Sequence, residues 1–307
     1  MMVRAEFLAN GELCPNCGTS DLRKLLVESH DDDVPVPFTV FACNGCHFAW
    51  QWPRPRTSDA SKDYFEQEYE AEREGTYFGS DNRRKIAELE FGYVTSKVSG
   101  PGSLLDLGGG DGIFCEVAAQ NGWTATCIDP ALPAQRIADG NPRFVKGLPE
   151  GLSDSELFDV VTLWDVIEHV ENPVQVLRSA VERLKPGGHL FVETGNFQSC
   201  GRIEAGADWW CYQSDHRWYF TPPVIESLMQ STDLESIDIH DRVLRPWWSA
   251  DNASRLPGVH SVVTGSVRDP RALFQNIRRF REMKHCARTW PKWSNIEIFA
   301  MSGRLPG

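Results

Sequence analysis

Four cysteines in two C-x-x-C pairs have the clearest chemical spacing in this chain. Cys14-Pro15-Asn16-Cys17 and Cys43-Asn44-Gly45-Cys46 leave 25 residues between the pairs. Two intervening residues let both thiolates of a pair reach one ion. Four thiolates close a tetrahedral shell with no position left for water, which describes a structural zinc site. The other reading is paired redox thiols, and no redox context accompanies them. His47 reads as a neighbour of this site, not a fifth ligand. A second group is the turn Leu104-Leu105-Asp106-Leu107-Gly108-Gly109-Gly110-Asp111-Gly112. Glycine lets a backbone bend sharply and lets a ligand approach with no Cβ in the way. Asp129 follows about twenty residues later, where a carboxylate can take both hydroxyls of a ribose. The third group is imidazole. His216, with an ordinary pKa near ~6.5, can remove a hydroxyl proton at neutral pH, or it can simply hydrogen-bond the following loop. His169 is a second candidate, with a structural role as the competing reading.

These residues need elements to hold them. Lys24–Glu28 and Phe38–Phe41 read as a hairpin around the acidic turn Asp31–Asp33, strung between the cysteine pairs. Pro53-Arg54-Pro55-Arg56 reads as a stiff linker. Residues 58–80 mix acidic and aromatic side chains and read as short helices or a lid, and 82–98 as an amphipathic helix. From Ser103 strands and helices alternate. Strands are expected at 103–107, 124–128, 143–146, 158–164, 189–193, 234–239 and 296–301, and helices at 113–121, 173–184 and 222–230, with Lys185–Gly188 a turn. That alternation predicts a mostly parallel sheet with helices on both faces. The expected organisation is a module at 1–56, a helical linker or lid at 57–99, and an α/β domain at 100–307. The last contains an insertion at 241–294.

The motifs then become specific. Asp106-x-Gly108-x-Gly110-x-Gly112 resembles the first motif of class I S-adenosylmethionine-dependent methyltransferases, and it differs from the G-x-G-x-x-G of nicotinamide enzymes. Phe158-Asp159-Val160-Val161-Thr162-Leu163-Trp164-Asp165-Val166-Ile167-Glu168-His169-Val170 resembles that family's fourth-strand motif. Leu184-Lys185-Pro186-Gly187-Gly188-His189-Leu190 resembles the turn before its fifth strand. The resemblance covers about residues 100–240 and implies a Rossmann-like seven-stranded sheet whose last strand is antiparallel. It also implies roles: Asp106 and Gly108 near the methionine moiety of the donor, Gly110 close to its backbone, Gly112 among the donor-binding glycines, and Asp129 on its ribose. Trp164 and Asp165 would border the sulfonium. Asp106 holding the turn and Asp165 capping a helix are the competing structural readings. A zinc ribbon ahead of this domain resembles certain sugar methyltransferases, in which the ribbon helps frame the acceptor site.

Composition narrows the acceptor. A net charge of −12 disfavours a protein that coats nucleic acid. Residues 268–304 carry nine basic against three acidic side chains, so a local basic patch is expected, either solvated or facing a phosphate. No apolar run is long enough to span a bilayer and no secretory signal is visible, so a cytoplasmic location is expected. The leading expectation is methyl transfer to oxygen or carbon of a small polar acceptor, a sugar or nucleotide sugar. His216 is the candidate base, with Asp165 and His169 beside it. An RNA base methyltransferase that uses the ribbon to grip RNA is the first alternative. A non-catalytic binding protein that keeps the fold is the second.

Overall fold

The computed structural model describes residues 11–28, 37–53, 80–132, 134–240, 281 and 296–307. The expected lid at 58–79, the acidic turn Asp31–Asp33 and, apart from Arg281, the basic insertion lie outside the described residues. Among the described residues no helix is long and apolar enough to cross a membrane.

Short runs of apolar residues become the strands of the main sheet. They are β4 (Ser103–Leu107), β5 (Thr124–Asp129), β6 (Arg143–Lys146), β7 (Phe158–Trp164), β8 (Leu184–Gly195), β10 (Glu235–Ile239) and β11 (Ile298–Arg304). The order across the sheet is β10-β11-β8-β7-β4-β5-β6. Strands β4 to β8 are parallel, and β11 is antiparallel to both neighbours, as the resemblance implied. Both faces are buried. Leu105, Val161 and Leu163 meet α3 (Pro173–Glu182) and α4 (Pro222–Gln230) on one side. Leu104, Val160 and Trp164 meet α1 (Ser80–Lys97) and α2 (Ile113–Gln120) on the other. That alternation explains why these strands read as nearly continuous apolar runs. Helix α3 starts where expected, because the Asn172 side chain accepts the Val174 and Gln175 N–H groups and Pro173 needs no partner at the first position.

Two features differ from expectation. Lys185–Gly188 does not precede the fifth strand but bulges out within β8: Phe158 pairs with Leu184 and Val160 with His189. The bulge lets the Lys185 ammonium reach Asp159 at 2.9 Å and the Ser103 hydroxyl at 3.0 Å. The N-terminal hairpin, β1 (Leu22–Glu28) with β2 (Pro37–Cys43), also has company. A third strand, β3 (Ala49–Gln51), pairs with β2, and β9 (Trp218–Tyr219) pairs with β3. Phe48 stacks on Trp218 at 5.7 Å and touches Phe220 at 5.3 Å. A unit this small has little core of its own. It gains one by sharing an apolar cluster that runs from Phe48 and Trp50 through Trp218 to Leu163.

Candidate active site

At the end of β4 the chain turns through Gly108, Gly110 and Gly112, with φ of 71°, 54° and 77°. A side chain in this left-handed region would be strained. Space forbids it too: a Cβ on Gly108 would stand 2.7 Å from Val166 Cγ2, and one on Gly112 2.2 Å from Phe144 Cε1. Asp129 is buried at the end of β5. Its Oδ2 accepts the Gly110 N–H at 3.1 Å and its Oδ1 the Ala131 N–H at 2.6 Å. Asp106 lies beneath the turn and accepts the Thr162 hydroxyl at 2.7 Å. Burial raises its pKa to about 7, against the opposing pull of that hydrogen bond. One clamp was not legible in the sequence. Arg136 Nη2 donates to the Asp111 carbonyl at 2.6 Å and to Glu116 Oε1 at 2.8 Å, while its guanidinium covers the Phe144 ring at 4.5 Å. It ties the start of α2 to the segment after β5.

The structure thus gathers Asp106, Gly108, Gly110, Gly112 and Asp129 at the carboxyl ends of β4 and β5, where ligands of open α/β sheets bind. These residues fit a nucleoside-bearing donor: three glycines leave the backbone bare, and a buried carboxylate is fixed beside them. Trp164 and Asp165 end β7 but diverge. The Trp164 indole packs into the sheet face against Phe114 at 5.4 Å, and its Nε1 is buried with no hydrogen-bond partner among the described residues. Asp165 is exposed and sits at φ 52°, the kind of backbone strain that clusters at functional sites.

Beyond Asp165 a second cluster forms. His169 Nδ1 lies 3.1 Å from Asp215 Oδ2. The His169 and His216 rings meet edge to face at 4.6 Å, and one polar atom each of Glu168, His169 and His216 lies within 4.8 Å of the others. His216 Nδ1 is 2.9 Å from the Cys211 carbonyl oxygen. A carbonyl can only accept, so Nδ1 carries the proton and Nε2 keeps its lone pair. Burial, then the neighbouring His169, lowers the His216 pKa to about 4, so its imidazole is neutral at pH 7. Burial alone would lower His169 as well, but the Asp215 carboxylate more than offsets it and raises His169 to about 9. The same pair holds Asp215 well below the usual carboxylate range. Burial raises Glu168 to about 7, opposed by His169 and assisted by Asp165. The loop that carries this cluster also carries Val166, which rests on Gly108, so the two clusters adjoin. Together they can hold a ligand at the glycine turn and accept a proton beside it. Glu168 and Asp215 stand next to the two histidines in the sequence, and that adjacency was the available signal for them. The rings of Trp209, Trp218, Tyr219 and Phe220 are buried in the core beside this cluster.

The two cysteine knuckles are built alike. Cys14 Sγ is 3.6 Å from Cys46 Sγ, and Cys17 Sγ is 3.5 Å from Cys43 Sγ, too far for disulfides. Four sulfurs at ~2.3 Å from one tetrahedral ion stand about 3.8 Å apart. The spacing therefore fits such an ion. Each knuckle ends in a left-handed residue, Gly18 at φ 76° and His47 at φ 61°. The Gly18 N–H returns to the Cys14 carbonyl at 2.8 Å and the His47 N–H to the Cys43 carbonyl at 3.1 Å. His47 thus occupies a turn position.

Comparison with known proteins agrees with this geometry. Residues 68–239 match a family described as a methyltransferase domain. A ubiquinone biosynthesis O-methyltransferase of Methylobacterium nodulans is 32% identical over 176 residues, spanning 52% of this chain and 71% of that one. One from Xanthomonas campestris pv. campestris is 25% identical over 218 residues, spanning 64% and 90%. Among solved structures, a 1,6-didemethyltoxoflavin-N1-methyltransferase of Burkholderia thailandensis shares the fold with a TM-score of 0.53 at 15% identity, over 92% of this chain and all of that one. An S-adenosylmethionine-dependent methyltransferase of Archaeoglobus fulgidus does so with 0.51 at 14%, over 72% and 94%. With the seven-stranded sheet, the glycine turn and the family match in agreement, the chain belongs to the methyltransferase-domain family and is a class I S-adenosylmethionine-dependent methyltransferase.

Proposed function

We propose that this enzyme methylates an oxygen of a small polar acceptor, with His216 as the base. Asp106, Gly108, Gly110, Gly112 and Asp129 hold the donor, Trp164 and Asp165 border its sulfonium, and His169 flanks the acceptor. The bound donor supplies an electrophilic methyl group. The protein's own contribution is alignment of the two partners, which supplies much of the rate in such displacements, and removal of the acceptor proton. The observation that carries this reading is the buried His216, with Nδ1 engaged at 2.9 Å and Nε2 left basic, on the cluster that adjoins the glycine turn. Cys14, Cys17, Cys43 and Cys46 hold a structural zinc ion, supported by their mutual spacing.

The acceptor class we favour is a sugar or nucleotide sugar, on the strength of the ribbon-plus-methyltransferase arrangement. A phenolic hydroxyl is the second reading. Two observations favour it: the relatives are named as ubiquinone biosynthesis O-methyltransferases, and a base with a pKa near 4 is better matched to an acidic hydroxyl than to an alcohol. The net charge of −12 speaks against RNA. The test is transfer of labelled methyl from S-adenosylmethionine to a panel of nucleotide sugars, catechols and RNA, repeated with His216→Ala. The expected result is turnover of one small-molecule class and loss of kcat by ~10²–10⁴-fold in the variant, with donor affinity kept. Undiminished kcat in His216→Ala would remove the base assignment.

A further inference from the structure

We infer that Gln51, on the last strand of the cysteine module, is a positioning residue that sets the imidazole of His216. The segment 214–217 carries the base but belongs to no helix or strand. On one side it is held by the loop after β7: the Arg217 and Trp218 N–H groups donate to the Glu168 carbonyl at 2.9 and 3.2 Å, and Trp218 Nε1 donates to the Val170 carbonyl at 2.7 Å. On the other side it is held by β3. The Gln51 N–H donates to the Arg217 carbonyl at 2.9 Å, one residue beyond the base. The Gln51 side chain is buried and faces two further carbonyls of the same segment. An amide oxygen there would meet only acceptors, so the amide nitrogen faces them and donates to His216 O at 3.1 Å and Ser214 O at 3.2 Å. Three hydrogen bonds from one residue thus fix the backbone on both sides of His216. Its Nδ1 contact to Cys211 depends on that backbone being where it is.

The strand is in turn tied to the second knuckle. The Cys43 N–H donates to the Phe48 carbonyl at 2.8 Å, and Trp50 pairs with Trp218 across the β3–β9 ladder. A path of backbone hydrogen bonds and chain connections therefore leads from Cys43 through Phe48 and along β3 to Gln51 and the base. None of it touches the glycine turn. The module acts on the acceptor half of the site and leaves the donor half alone.

This rests on His216 being the base, but its central test does not. In the full-length wild-type protein, the Gln51 side-chain amide protons should exchange at least tenfold more slowly than those of an exposed glutamine, and the His216 ring should show a single Nδ1–H tautomer by ¹⁵N NMR. Gln51→Met keeps the volume and removes both donors, and Gln51→Asn keeps an amide too short to reach both carbonyls. Both should keep the metal content and bind S-adenosylhomocysteine within twofold of wild type, while the His216 ring signals shift or split. With a panel acceptor, kcat should fall tenfold or more with KM little changed. Free exchange of the Gln51 amide in the wild type would overturn the inference, whether or not the variants fold. So would unchanged His216 signals in both variants, or a parallel loss of donor affinity. Turnover that survives His216→Ala would instead remove only the base assignment.

Discussion

Asp106→Asn should separate stability from donor binding. The Asp106 carboxyl is buried, and burial raises its pKa from 3.8 to about 7. A raised carboxyl pKa means that folding penalises the ionised form. Its contribution to stability is fully present below the unfolded value near 3.8 and is lost as pH rises through about 7. Three units at about 1.4 kcal/mol each make this loss roughly 4 kcal/mol. Asparagine cannot ionise, and its Oδ1 can still accept the Thr162 hydroxyl. Asp106→Asn should therefore match the wild type near pH 4 and exceed it at pH 8. At a few degrees per kcal/mol the gap should approach about 10 °C in Tm. Glu168 also titrates near pH 7, but it does so in both proteins and cancels in the difference. The assay is thermal unfolding across pH 4–9 without donor. Parallel curves for the two proteins would show that Asp106 is not a buried acid forced to ionise. Calorimetry with S-adenosylmethionine then tests the proposed donor contact. Wild-type affinity should rise with pH through about 7 as a negative charge develops beside a cationic donor, and the variant should show no such rise.

Three further outcomes follow from the geometry. Gly112→Ala places a methyl group at φ 77° and 2.2 Å from the Phe144 ring, so it should lower stability by about 2 kcal/mol or more and weaken donor binding at least tenfold by calorimetry. Elemental analysis should find about one zinc per chain, and Cys43→Ser should release it with loss of Tm, because the knuckles close around one ion. Asp215→Asn removes the partner of His169. The share of stability held in the raised His169 pKa is present below its unfolded value of 6.5 and is lost as pH rises through about 9. Asp215, held low, contributes above its unfolded value of 3.8 and loses that share as pH falls through its depressed folded value. The Tm gap between wild type and Asp215→Asn should thus be widest near pH 5–6 and close by pH 10. A constant gap would mean that the two side chains are near neighbours without a charge interaction.

The sequence carried the parts of this molecule that depend on local rules. Glycines 108, 110 and 112 announce their turn because only glycine sits easily at those φ values. The strands of the parallel sheet are legible because both faces are buried. The cysteine pairs are legible because a C-x-x-C knuckle is a local structure. What was hidden depends on contacts across long separations. Ala49–Gln51 is too short to show a period, and its partner β9 lies about 170 residues away in the chain, so nothing local marked their pairing. Trp209, Trp218, Tyr219 and Phe220 have the composition of a binding wall, but the neighbouring module buries them. Arg136 gave no signal at all. Its clamp exists because the turn after β5 faces the start of α2, which composition does not record.

The proposed donor and acceptor halves of the site are held by different means, and this has a mechanical consequence. Asp106 and Asp129 sit in or at the end of paired parallel strands, with Asp106 in register with Cys127 and Asp129 with Lys146. Moving either would break a ladder that is buried on both faces. His169, Asp215 and His216 lie on connections outside the parallel ladder, and their segments are held by separate hydrogen bonds to Glu168, Val170, Cys211 and Gln51. Local opening draws on segments that lack a continuous ladder. The acceptor half should therefore yield first under heat or denaturant, while the donor half persists to the global transition. Binding of S-adenosylhomocysteine should outlast the protection of the 213–219 amides in a mild denaturant series. The proposed zinc site next to β3 then has a physical role. It adds a rigid support where the α/β sheet itself provides none.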